Sequence, residues 1–186
     1  MKYTIRDGCW ETNSSSMHAI AISKSNIDLE KNVFPYYGVV HFNHGEFGWE
    51  HSIYGDVDSK ASYLYQALFE VYPTDKYIED DKGKHNEKDR SDLINWIYTV
   101  LGKYRIEAVF DTDDYDEDGW REGYIDHGYE LDDFLKYVLG NEKHLLNYLF
   151  GNSLICTSND NDDMDDFNEF VDHYENKNYK LIVKGN

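Results

Sequence analysis

An α+β fold is predicted: a mixed or mainly antiparallel sheet with four to five helices packed on it, in one domain spanning residues 1–186. Three observations lead there. Segments with the helical period alternate with short strand-like runs. Hydrophobic content is 40% and aromatic content 16%, too rich in core-forming side chains for an acidic disordered chain. The only prolines are Pro35 and Pro73, and no Pro/Ser-rich linker or internal repeat divides the sequence.

The first 55 or so residues read as β-rich and the remainder as helix-rich. Lys2 to Arg6 alternates as a short strand, broken by Gly8 and the polar run Thr12 to Ser16. His18 to Ile22 is a second strand and Gly38 to Phe42 a third. Asn43-His44-Gly45 then reads as a hairpin turn into the segment around Phe47 and Trp49. Ala61, Leu64, Tyr65, Leu68 and Phe69 recur at i, i+3, i+4, i+7 and i+8, a helix with Pro73 just beyond it. Residues 75–90 are nearly all polar and read as an exposed loop. Ser91 suits the N-cap of a helix carrying Leu93, Ile94, Ile97, Val100, Leu101 and Tyr104 on one face. Glu107 to Phe110 reads as a strand. Leu131 to Leu139 is a helix, interrupted at Gly140-Asn141 and resumed from His144 to Phe150. Ser153 to Thr157 reads as a buried strand. Met164, Phe167, Phe170, Val171 and Tyr174 mark the last helix, and Tyr179 to Val183 the last strand.

Charge separates this chain from an ordinary α+β domain. Thirty-seven acids face eighteen bases, a formal net charge of −19. Six acids fall between Asp111 and Asp118 (Asp111, Asp113, Asp114, Asp116, Glu117, Asp118), and six between Asp160 and Glu169 (Asp160, Asp162, Asp163, Asp165, Asp166, Glu169). Such a surface disfavours nucleic acid and anionic lipid as direct partners and steers the molecule toward positive surfaces. Cys9 and Cys156 lack metal-ligand spacing, the N-terminus has no apolar leader, and no stretch approaches a membrane span. The expectation is a cytoplasmic protein with no cofactor.

The second cluster lies on the last helix, away from its apolar stripe. Carboxylates in a first helical turn complement the dipole by about 0.3–1 kcal/mol each, so a solvated face is one reading. Phosphate mimicry is the other, since successive turns stack carboxylates at 5.4 Å. In the first cluster Asp114, Asp116, Asp118 and Gly119 spell the opening of a calcium loop. The twelfth position, which needs a bidentate Glu, is Ile125, so no metal site is expected there. His41, His44 and His51 have no zinc-finger spacing and read as turn histidines. Trp120 and Tyr115 interleave with the first cluster as candidate apolar anchors. A separate constellation, Ser14, Ser15, Ser16 and His18 with Asp126 and His127, holds the residue types of acyl-transfer chemistry. The competing reading is a turn whose hydroxyls bond local backbone.

The run from Cys9 to Ile20 (CWETNSSSMHAI) resembles an F-E-T-N-S-S-S-x-H-S-hydrophobic signature that opens a group of phage and bacterial proteins. Gly123 to His127 (GYIDH) is similar to a second short signature of that group. Trp10 stands where the signature has Phe, Ala19 where it has Ser, and Gly128 where a polar residue is expected. The two runs cover about seventeen positions. Some small acidic proteins of phages and mobile elements are anti-CRISPR inhibitors, and the resemblance implies that class, binding guide-loaded Cas9 of a type II system. Two expectations follow. The first is a non-enzymatic, DNA-mimicking inhibitor whose two acidic clusters and Trp120 engage a basic nucleic-acid-binding protein. The alternative is a small hydrolase or transferase built on Ser14 to Ser16, His18, Asp126 and His127.

Overall fold

The computed structural model describes residues 16–36, 38–72, 87–111, 123–126, 131–159, 164–175 and 177–184. The predicted strand over Lys2 to Arg6 lies outside them. The architecture is α+β, as expected.

A four-stranded antiparallel sheet organises the chain. Its centre is β1 (Met17–Ser23), buried at every position, flanked by β7 (Leu154–Ser158) and β8 (Tyr179–Lys184). The short β4 (Ser52–Tyr54) forms the edge beside β7. The most N-terminal described strand is therefore held by strands from the C-terminal third. Because side chains alternate across a strand, β1 sends His18, Ile20 and Ile22 to one face and Met17, Ala19 and Ala21 to the other.

The two faces are covered differently. On the first, Ile20, Ile22 and Ile155 pack with α1 (Val57–Val71), α3 (Asp132–Val138) and α4 (Glu142–Phe150) into the main core. α1 is apolar well beyond one stripe, burying Tyr63, Leu64, Tyr65, Leu68 and Phe69 together, so it runs through the core rather than over it. Asp56 caps it, accepting from the Ser59 amide at 2.8 Å. On the second face the small Ala19, Ala21 and Cys156 let α5 (Met164–Glu175) pack closely through Phe167 and Phe170. Burial, and secondarily Asp166, pushes the Cys156 thiol up to about 12, so it is an inert packing group.

Two small parallel pairs complete the fold. β2 (Val39–Phe42) pairs with β5 (Glu107–Phe110), and β3 (Glu46–Phe47) with β6 (Tyr124–Ile125). The hairpin expected at Asn43-His44-Gly45 is thus corrected: β2 and β3 each take a distant parallel partner instead of each other. α2 (Glu87–Lys103) corrects a second expectation, since it begins before Ser91 and holds that residue in its interior. Arg90 explains the extension. Its guanidinium lies 3.9 Å over the Phe69 ring and donates to the Tyr72 carbonyl, so a tertiary contact holds the turn that propensity alone leaves open. Among the described residues no helix is long and apolar enough to cross a membrane.

Candidate functional site

The row of the sheet that contains His18 is polar from edge to edge. Register aligns Ser52 on β4, Thr157 on β7, His18 on β1 and Lys184 on β8, all on the main-core face. One step inward the same face carries Tyr54, Ile155, Ile20 and Ile182. The apolar surface therefore ends abruptly. His18 is fully buried, Lys184 is 8% exposed, and the two line a cavity of about 160 Å³ with Asp133.

Buried polar groups need partners, at about 1–3 kcal/mol for each one left unmet. His18 has them. Its Nε2 lies 3.0 Å from the Asp126 carbonyl oxygen and 2.8 Å from Ser16 Oγ, and the Tyr63 hydroxyl lies 3.1 Å from Nδ1. β3–β6 pairing delivers Asp126, whose amide donates to the Phe47 carbonyl at 2.9 Å. Gly48 closes the assembly with φ +112; a Cβ there would stand 2.5 Å from Ser16 Oγ and 3.2 Å from His18 Cε1. Thr157 donates to the Glu50 carbonyl at 3.0 Å.

The Asp126 contact favours one tautomer. A carbonyl oxygen only accepts, so a hydrogen bond to Asp126 places the imidazole hydrogen on Nε2. Burial, with Tyr54 adding to it, raises the Tyr63 pKa far above the ordinary tyrosine value, so its hydroxyl keeps its proton and donates to Nδ1. A base acting on Ser16 would need its lone pair on Nε2, where the hydrogen sits. In this tautomer the Nε2 hydrogen faces both the Asp126 carbonyl and the Ser16 hydroxyl oxygen.

Of the alternative catalytic set, the structure brings Ser16, His18 and Asp126 together; Ser14, Ser15 and His127 lie outside the described residues. Sequence reasoning missed Tyr63, Gly48, Thr157 and Lys184. Tyr63 falls off the i, i+3, i+4 stripe of α1, and the others meet His18 only through long-range pairing.

The acidic residues have a different environment. Asp111 is exposed but tied, accepting from the His44 amide through Oδ2 at 3.1 Å and from the Tyr65 hydroxyl through its carbonyl at 2.7 Å. Asp113, Asp114, Asp116, Glu117, Asp118, Trp120, Asp160, Asp162 and Asp163 lie outside the described residues. Asp165, Asp166 and Glu169 are exposed on α5, together with Asp172 and Glu175. Asp166, Glu169, Asp172 and Glu175 pair with no cation among the described residues; the ion pairs Lys103–Glu142 and Lys136–Asp132 lie elsewhere. Lys177, just past the helix, sits instead 2.7 Å from His173 Nε2.

Among the described residues no group of three or more His, Cys, Asp or Glu could hold a metal ion. Ile125 is buried in the core. His44 packs between Tyr65 and Phe69 and bonds Gln66 Oε1 at 3.1 Å, so it is a core-edge histidine rather than a turn residue in solvent. Comparison of the chain with family models, curated proteins and solved structures finds no match.

Proposed function

We propose that the protein is an acidic binding module that inhibits a basic nucleic-acid-binding protein by occupying the surface where that protein holds phosphates. One observation carries the reading: α5 buries Phe167 and Phe170 while leaving Asp166, Glu169, Asp172 and Glu175 exposed and without a described counter-charge. Carboxylates that served cohesion would be paired or would cap backbone, as Asp56 and Glu142 do. A face left unneutralised on a chain of net charge −19 keeps its field for an external cation. The Glu11–His18 resemblance makes guide-loaded Cas9 the first partner to try, with substrate loading or nuclease-domain movement as the step blocked.

Neutralising α5 tests it. The D166N/E169Q/D172N/E175Q variant should still unfold in one cooperative thermal transition and bind guide-loaded Cas9 at least about tenfold more weakly in biolayer interferometry. Wild-type affinity in that variant would take α5 out of the interface.

The hydrolase or transferase reading has the Ser16–His18 contact in its favour. It requires Nε2 to accept from Ser16, whereas the Asp126 carbonyl takes the hydrogen of that nitrogen.

A further inference from the structure

α5 is centred on β7, β1 and β8, and this leaves a step at the sheet edge. The row on its side runs Ile53, Cys156, Ala19, Val183 across the four strands. Cys156 and Ala19 are fully buried beneath the helix, whereas Ile53 on β4 is 54% exposed. Between β4 and α5 lies an open groove of about 380 Å³. Its helical wall is one stripe of α5: Asp166, Glu169, Phe170 and Tyr174 at i, i+3, i+4 and i+8, with His173 between them at i+7. Ile53 and His51 form the opposite side.

We propose that this groove receives an arginine side chain from an extended basic segment of the partner protein. The inference rests on the binding reading above and names the site within it. The charged groups of the helical wall only accept hydrogen bonds. Asp166 and Glu169 offer carboxylates, and His51 Nδ1 is buried with no hydrogen-bond partner among the described residues. A guanidinium has five donors and no acceptor, and its flat faces stack on an aromatic ring such as that of the half-buried Tyr174. Ile53 provides apolar surface for the aliphatic stem. The Lys177 ammonium stands beside His173 and 5.9 Å from the Tyr174 ring centroid, so it repels a cation at that end and directs the guanidinium toward Asp166 and Glu169. A lysine ammonium would match the charge but not the planar fork. Free anions and nucleic acid would meet the carboxylates.

The probe is the blocked tripeptide acetyl-Gly-Arg-Gly-amide, titrated into the full-length ¹⁵N-labelled protein. Backbone amides of Ile53, Phe170 and Tyr174 should shift saturably, and replacing arginine by citrulline should abolish the shifts. D166N/E169Q should weaken binding about fivefold or more, while D172N/E175Q, an equal change of charge outside the groove, should hold it within about twofold. Equal weakening by both variants, or shifts spread along α5 without those three amides, would overturn the groove. Tripeptide binding with no retention of a basic nucleic-acid-binding protein would keep the groove and remove the function proposed above. Retention without tripeptide binding would do the reverse.

Discussion

The two faces of the central sheet handle polar chemistry in opposite ways. Under α1 and α3, Ser16, His18 and Tyr63 are buried and bond one another and the partly buried Asp126 carbonyl. Beyond α5, the carboxylates of Asp166, Glu169, Asp172 and Glu175 are in solvent and bond nothing described. Ser16 and His18, which look catalytic in the sequence, bond to each other and tie β1 to α1 and β6. Those that look like mere solubilising charge are the ones still available to a partner. Residue type alone does not separate the two roles, and hydrogen-bond satisfaction does.

His18→Ala should sharpen that contrast most. It strands the Tyr63 hydroxyl and the Asp126 carbonyl and leaves a cavity, so unfolding free energy should fall by about 3 kcal/mol or more in urea melts. At temperatures where the variant stays folded, partner binding should be unchanged. Lost binding in a folded H18A protein would move function to the buried face.

A pH series is the next way to break the contrast. Lys60 is buried on the helical side, its ammonium donating to the Gly151 carbonyl at 3.2 Å, and burial pushes its pKa down to about 8, with Asp56 partly opposing. In the unfolded chain it titrates near 10.5. Between these values the unfolded chain holds a proton that the folded one has shed, so the stability tied to Lys60 rises with pH through this window. Below it the cost of burying the charge is constant. Lys60→Met should therefore improve stability relative to wild type most near neutral pH, and the difference should shrink by about 2–3 kcal/mol on approaching pH 10.5. A flat difference would show that Lys60 carries no such cost.

Most elements were legible because one period dominated each. The stripes Leu131–Leu139, His144–Phe150 and Met164–Tyr174 became α3, α4 and α5, and the apolar run His18 to Ile22 became β1. What failed was set at long range. No local signal tells Asn43-His44-Gly45 that β2 will pair with β5 and β3 with β6. Nor does residues 75–90 reveal that Arg90 will lie on Phe69 and lengthen α2. In the candidate sites, Asp166 and Glu169 were readable as an acidic face. The groove beside them was not, because Phe170 and Tyr174 have the spacing of core residues and Ile53 is exposed only because α5 stops short of β4.

The central claim is competition for a phosphate-binding surface, and equilibrium loading of labelled target DNA onto guide-loaded Cas9 tests it most directly. Adding the protein should displace DNA, with half-displacement moving to higher protein concentration as DNA is increased and as salt is raised. DNA that stays fully loaded at saturating protein, or displacement indifferent to salt and to the α5 carboxylates, would contradict the account.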